Sequence, residues 1–293
     1  MVLKFCIIFK DVKPSYFFKG CESVIHFLTA YIAVIVFVFG TVIGSFLNVL
    51  IYRLPIGMDF KRGNSICPNC KHKLNWKDLF PLFSWIFLGG KCRYCKAPIS
   101  KRYPIVEALN GTLYVLAYIF LCGGTAIEGL NLKLVGYMIV FSALIVVSWI
   151  DFEHEIIPDS MWVSILAGGL FIVGDALISG TFSKKWIISR LIGLVCVSGI
   201  LLIIGLVSGG RAMGGGDVKL MAAAGFVLGW KAVLIALFAG ALFGMIFAFV
   251  RMLVKKEKML GKIPFGPFLS IGIAFSAFLG EMIFNSYLNM FTL

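Results

Sequence analysis

The sequence predicts an all-α polytopic membrane protein with one small polar insert. Three observations carry this expectation. Hydrophobic residues fill 60% of the 293 positions and mean hydropathy is +0.98, whereas soluble domains run nearer ~45–50% apolar. The apolar residues gather into about eight runs, most of them near the roughly 20 helical residues that a lipid core requires. Polar residues collect instead in one long segment, 52–104, which carries two CxxC pairs.

Charge narrows the partners. Only 14% of residues are charged, yet the net charge is +13. In a soluble chain such an excess points to nucleic acid. No soluble segment here is large enough to present a basic groove, so no nucleic-acid partner is expected. The cations read as positive-inside loops facing the anionic leaflet of a lipid bilayer.

Taken in order, residues 1–26 mix apolar residues with Lys4, Lys10, Lys13 and Lys19. They read as an interfacial or loosely ordered extension. Residues 27–51 form the first transmembrane helix. The run beginning at Phe27 has no small-residue cleavage site, so no cleavable signal is evident. Gly40, Gly44 and Ser45 let a neighbouring helix pack closely. Asn48 is open to two readings, a hydrogen bond between helices or membership of a site.

Residues 52–104 hold Arg53, Lys61, Arg62, Lys71, Lys73, Lys77, Lys91, Arg93, Lys96, Lys101 and Arg102 against Asp59 and Asp78 alone. That makes the loop cytoplasmic and sets the N-terminus outside. A helical membrane core follows over 105–293, with spans expected at 105–122, 132–150, 160–180, 187–208, 218–230, 232–253 and 264–288. The 218–230 span is short. Loops 151–159, 209–217 and 251–263 then face the cytoplasm. Lys184, Lys185 and Arg190 fall outside and run against the pattern.

Cys67-Pro68-Asn69-Cys70 and Cys92-Arg93-Tyr94-Cys95 have the spacing of two zinc knuckles. Four thiolates close a tetrahedral structural zinc site and leave no open position for catalysis. A reducing cytoplasm argues against disulfides. The remaining cysteines, Cys6, Cys21, Cys122 and Cys196, read as packing. The fold class is thus about eight transmembrane helices with a small zinc-bound cytoplasmic insert.

Two carboxylates then come to one face. Asp151 ends the third span and Asp217 opens the sixth, in Gly214-Gly215-Gly216-Asp217-Val218-Lys219. A charge at the edge of a span is costly and by default functional. Two carboxylates in one site hold a proton between them. One activates a water as general base while the other, protonated, donates to a carbonyl. That suits peptide hydrolysis without metal or covalent intermediate. The glycines, Gly214 and Gly216 among them, let another backbone approach. The competing reading makes each aspartate a helix cap. Asp217 fits an N-cap, but Asp151 follows a helix, where negative charge is unfavourable. Around Asp151, Glu153, Glu155 and Asp159 make an acidic loop suited to a basic substrate segment. Lys219 is expected either to tune Asp217 or to bind a phospholipid headgroup.

The ordered set of segments resembles the type IV prepilin leader peptidases, which are membrane aspartyl proteases, some of them bifunctional as N-methyltransferases. The carrying residues are Gly44-Ser45-Phe46-Leu47-Asn48-Val49 with Tyr52-Arg53-Leu54-Pro55, and the two CxxC pairs. Arg102-Tyr103-Pro104-Ile105-Val106-Glu107, the Ile150-Asp151 to Ile157-Pro158-Asp159 stretch and Gly214–Lys219 complete the set. Gly214-x-Gly216-Asp217 also resembles the GxGD motif of archaeal preflagellin peptidases and presenilins. The resemblance implies catalytic aspartates at Asp151 and Asp217 and zinc ligands at Cys67, Cys70, Cys92 and Cys95. Glu107 matches an acidic position of the family. It implies a multi-pass enzyme of the bacterial inner membrane, with its site on the cytoplasmic side. Prepilins or pseudopilins would be cut after a glycine, ahead of an apolar helix, losing a short basic leader. S-adenosylmethionine as methyl donor rests on the resemblance alone. The N-terminal extension departs from the pattern.

Three rivals stand beside this reading. A proton- or cation-coupled transporter needs polar residues through the midplane, and 187–206 has almost none. A non-enzymatic zinc-knuckle membrane scaffold of a secretion system needs the cysteines but not the aspartates. A GxGD intramembrane protease for other substrates keeps the same chemistry.

Overall fold

The computed structural model describes residues 15–59, 65–124, 129–210, 213–255 and 264–290. Their elements are α-helical apart from short 3₁₀ and π turns and two isolated β-bridges. In chain order they are α1 (Ser15–Arg53), α2 (Phe83–Phe87), α3 (Arg102–Leu116), α4 (Leu132–His154) and α5 (Asp159–Ile178). They continue with α6 (Lys184–Val207), α7 (Gly215–Leu228), α8 (Trp230–Lys255) and α9 (Gly266–Asn289). A π turn over Ala117–Leu121 extends α3. Among the described residues, seven helices are long and apolar enough to cross a membrane. The eighth, α7, has 14 residues, about 21 Å at helical rise, and is the segment whose sequence is short. Residues 1–14 lie outside the described residues, as do Lys256, Lys258 and Lys262 of the basic 251–263 loop. Residues 15–26 are the first turns of α1.

The bundle is organised on α4. In its most apolar stretch, 72% of α4 is buried, against 22–39% for the other spans. Phe141, Val146, Val147 and Ile150 are wholly enclosed. Large apolar residues on the outer helices, such as Leu191, Ile203 and Phe238, stay exposed, as lipid-facing positions do.

The α1–α3 contact answers to the small residues in α1. A Cβ added at Gly40 would lie 2.7 Å from the Gly111 Cα, and one at Gly44 2.7 Å from the Glu107 Cα. Backbones meet there, so no side chain fits. Asn48 makes the cross-helix bond, its Nδ2 donating to the Tyr103 carbonyl at 3.2 Å. A buried polar chain continues inward. Asn110 donates to the Gly40 carbonyl at 2.7 Å and accepts from Ser142 at 3.1 Å, and Ser142 meets the Tyr114 hydroxyl at 2.8 Å. It joins α1, α3 and α4 into one unit.

Arg190, expected as a charge at the outer end of the 187–208 span, is engaged inside the bundle. It is buried on α6, stacks on Trp186 at 3.9 Å, and donates through Nη1 to the Phe226 carbonyl at 3.0 Å and to the Val227 carbonyl. These are last-turn carbonyls of α7, which lack intrahelical partners. Arg190 therefore ends α7 from a neighbouring helix and says nothing about sidedness. At that end Gly229, at φ 84, turns the chain straight into α8.

Candidate active site

Asp151 lies in the last turn of α4 and is 7% exposed. Glu155 closes that helix in the left-handed region at φ 56, its N–H donating to the Asp151 carbonyl at 2.9 Å. The carboxylate faces another element. Its Oδ2 accepts the Gly266 N–H at 2.8 Å, across 115 residues of sequence. Gly266 is the first residue of α9, so an orphan donor and the positive end of a helix dipole meet the negative charge. Asp151 is thus badly placed for its own helix and well placed for α9. Capping does explain it, but as a cap on a distant helix. A Cβ at Gly266 would sit 2.7 Å from Oδ2, so only glycine fits.

Asp217 is the third residue of α7, and the N-cap is Gly214. This corrects the N-cap expectation for Asp217 by three positions. Its carboxylate takes the Gly214 N–H, as the third residue does in a capping box. The Asp151 charge acts on Asp217 directly. The two carboxylates therefore lie near each other, one at the end of the central helix and the other at the start of α7. Among the described residues, neither has a cationic partner.

The glycines before Asp217 divide by environment. A Cβ on Gly216 would lie 2.9 Å from the Ile157 Cβ, so this residue packs the 155–158 loop against α7. Gly215 has nothing within 4 Å, and Gly214 only Asp217 Oδ2 at 3.3 Å. Gly214 and Gly215 alone leave room for an approaching backbone.

The acidic loop is largely engaged by the protein itself. Arg102 Nη1 donates to both carboxylate oxygens of Glu153 at 3.0 Å. Asp159 pairs with Lys219 at 2.7 Å and accepts the Trp162 indole N–H at 2.8 Å. Lys219 is therefore held at the surface by Asp159 and not turned to Asp217. Glu155 is exposed and close enough for its charge to act on Asp151. Glu107 is 6% exposed. Its carboxylate accepts the Leu82 N–H at 2.8 Å and bonds Ser45, tying the polar insert to α1 and α3.

In the insert, both knuckles fold alike. The Cys67 N–H donates to the His72 carbonyl at 2.9 Å, and the Cys92 N–H to the Ala97 carbonyl at 2.8 Å. Lys71 and Lys96, each directly after the second cysteine of its pair, turn the chain at φ 58 and 60. All four Sγ atoms lie within 4.8 Å of one another. Cys67 and Cys95 are 3.9 Å apart, close to the ~3.8 Å edge of a tetrahedron with ~2.3 Å Zn–S bonds. The Ala97 N–H and the Asn69 amide hold the Cys95 thiol down, at about 6. The Cys70 N–H likewise lowers Cys67, against its burial. Cys70 is pushed up to about 11; the His72 N–H favours its thiolate, but burial and the neighbouring thiols prevail. Ligand thiols must lose their protons to bind metal, and one in each pair is already disposed to. Asp78 braces the second knuckle, on Arg93 at 2.6 Å and the Tyr94 hydroxyl at 3.1 Å.

Sequence reasoning missed Gly266 and the Leu82 contact, and counted Arg190 as an outer-face charge. Gly266 had a signal, since Pro264-Phe265-Gly266-Pro267 punctuates the start of the last span. The Leu82 contact had none, because it is made by the backbone N–H.

A helical bundle with seven candidate spans, and two neighbouring aspartates that have no ion-pair partner among the described residues, defines a class: polytopic membrane proteins with a carboxylate pair. The comparison with known families is more specific. A model described as the bacterial peptidase A24 N-terminal domain matches residues 38–121, and that of the type IV leader peptidase family matches residues 138–249. The chain belongs to the type IV leader peptidase family. A prepilin leader peptidase/N-methyltransferase of Aeromonas hydrophila is 33% identical over 282 residues, covering 88% of this chain and 94% of that protein. Proteins of the same description from Stutzerimonas stutzeri (32% identical, 86% and 92% covered) and Burkholderia pseudomallei strain 1026b (35% identical, 83% and 84% covered) are similar too. No solved structure matches the chain.

Proposed function

We propose that this chain is a membrane aspartyl endopeptidase that removes the leader from type IV prepilins or pseudopilins. Cutting follows a glycine, at the cytoplasmic face of the bacterial inner membrane. The observation that supports this most is the closeness of Asp151 and Asp217, from separate helices, with no ion-pair partner for either among the described residues. In the proposed reaction the pair shares one proton. The ionised member takes a proton from water, whose oxygen attacks the scissile carbonyl. The protonated member donates to the carbonyl oxygen. Collapse of the resulting diol breaks the C–N bond, and the amine leaves with a proton returned from the pair. The scissile backbone passes over Gly214 and Gly215, where nothing blocks it. Glu155 is the member of the acidic loop available to a basic leader, because Glu153 and Asp159 are already paired.

Cys67, Cys70, Cys92 and Cys95 would hold a structural zinc ion. Such a site stabilises a loop too small to bury its own core. The relatives' description includes N-methyltransferase, so we extend the proposal to methylation of the new N-terminus by S-adenosylmethionine, which supplies the methyl group. No residue is assigned to that step.

The test is processing of a co-expressed prepilin, read as a mobility shift, with wild type, Asp151→Asn and Asp217→Asn. Asparagine keeps the shape and removes the acid–base function. Cleavage by wild type and by neither membrane-inserted variant is expected. Wild-type cleavage by either variant would make the pair structural and bring the zinc-knuckle scaffold forward. An active pair that leaves prepilins uncut would favour another membrane substrate.

A further inference from the structure

The turn before α2 and α2 itself present apolar side chains that no core absorbs. Leu79, Phe80, Phe83, Ile86 and Phe87 are 40%, 52%, 53%, 63% and 83% exposed, and α2 has no buried residue. Phe80 lies 5.7 Å from Phe83, and Phe83 6.3 Å from Phe87, ring centre to ring centre. The rings gather on one another. In an insert that stood free in water this patch would be a liability.

Its depth says what covers it. The Leu82 N–H is bonded to the Glu107 carboxylate at 2.8 Å. Glu107 lies five residues into α3, about 7–8 Å along a helix that crosses the membrane. Ser45 of α1, bonded to the same carboxylate, lies eight residues before the end of that helix. The start of α2 is therefore pinned beside the flank of two spans, about one to two helical turns in from their neighbouring ends. Leu82 holds φ 61 to make the turn, a conformation that a branched side chain rarely takes.

Charge favours lipid over protein. Lys71, Lys73, Lys91, Lys96 and Lys101 are exposed in the same polar segment. Over 65–101 the sole carboxylate is Asp78, already paired with Arg93. Basic residues flanking aromatic ones match an anionic headgroup layer. The same charge repels a basic leader peptide.

We propose that Leu79–Phe87 is an interfacial anchor, which seats the four-cysteine insert on the anionic lipid surface with Phe83, Ile86 and Phe87 among the upper acyl chains. It does not depend on the peptidase reading. The test places the photo-crosslinker p-benzoyl-phenylalanine at position 83, 87 or 73 in the full-length protein. Each variant is reconstituted in nanodiscs of phosphatidylcholine with phosphatidylglycerol, irradiated and read by peptide mass. Lipid adducts at 83 and 87 well above position 73 are expected, with lower yields when phosphatidylglycerol is left out. Adducts at 83 and 87 no higher than at 73, or adducts to a second protein chain, overturn the anchor. Equal yields with and without phosphatidylglycerol overturn its anionic preference.

Discussion

Replacing Gly266 by alanine tests whether the geometry around Asp151 is what activity depends on. The new Cβ would lie 2.7 Å from Oδ2, 2.9 Å from Cγ and 3.1 Å from the Asp151 Cβ. Ordinary contact begins at 3.4 Å, so a displacement of about 0.7 Å is needed to relieve the nearest pair. Little nearby can yield. Asp151 is a short side chain on the most buried helix, and Gly266 is followed by Pro267 in a helix whose first turns are buried. Displacement by a good part of 1 Å costs up to ~10²-fold in a reaction that needs aligned groups, so a fall in rate of roughly 10- to 100-fold is expected. Losing the bond also strands a buried N–H, at about 1–3 kcal/mol.

The assay is the initial rate of prepilin cleavage by purified protein in lipid, normalised to folded enzyme, with thermal unfolding measured alongside. Asp151→Asn is the control, because its amide oxygen still accepts the Gly266 N–H. It should unfold near the wild-type temperature and cleave nothing. Gly266→Ala should unfold earlier and cleave slowly. Cleavage by Gly266→Ala at the wild-type rate would refute the claim that the α9 start positions Asp151.

Other expectations separate neighbouring residues. Gly216→Ala meets the Ile157 Cβ at 2.9 Å and should lower the unfolding temperature, with partial recovery in an Ile157→Ala background. Gly215→Ala meets nothing within 4 Å, so it should unfold like wild type yet cleave more slowly; an unchanged rate would remove the substrate from that surface. Arg190→Met leaves the α7 carbonyls of Phe226 and Val227 without their donor, which should cost about 1.5–3 kcal/mol in thermal unfolding. Cys67→Ser should take zinc, measured by elemental analysis, from about one ion per chain to none; zinc retained at the wild-type level would reject the four-thiol site.

What the sequence discloses, and what it hides, follows from the range of the contacts. Hydropathy found the helices because the lipid core imposes one length on each, and CxxC spacing found the insert because the metal geometry is local. Asp151 and Asp217 were legible because a charge beside an apolar run stands out. The Asp151–Gly266 bond spans 115 residues, and no local pattern in either segment points to the other. Arg190 misled because counting charges by loop takes no account of burial. Lys219 misled in the opposite way: it is two residues from Asp217, but a helix turns about 100° per residue, and Asp159 meets it on the other side. Glu107 stands out as an acid after the insert, but it holds the insert through the Leu82 backbone N–H, 25 residues away, which no side-chain pattern marks.

The caps and the chemistry belong to one arrangement. Asp217 sits in the first turn of α7 and Asp151 accepts the first N–H of α9. Two helices thus begin at the carboxylate pair, each presenting a positive end of about half an elementary charge. Together they can offset roughly one negative charge, without any lysine or arginine. A pair with one charge and one proton is therefore the state that this environment suits, and it is the state the proposed hydrolysis starts from. A cation in place of the helix ends would favour both carboxylates ionised, leaving no acid to protonate the carbonyl. The pairing of Lys219 with Asp159, and of Arg102 with Glu153, serves the same end by keeping these two cations occupied. Asp159→Asn should free Lys219. Cleavage should then slow although Asp159 touches neither carboxylate of the pair, and Asp159→Asn with Lys219→Met should restore much of the rate. Failure of the double substitution to recover activity would mean that Asp159 acts on the substrate itself.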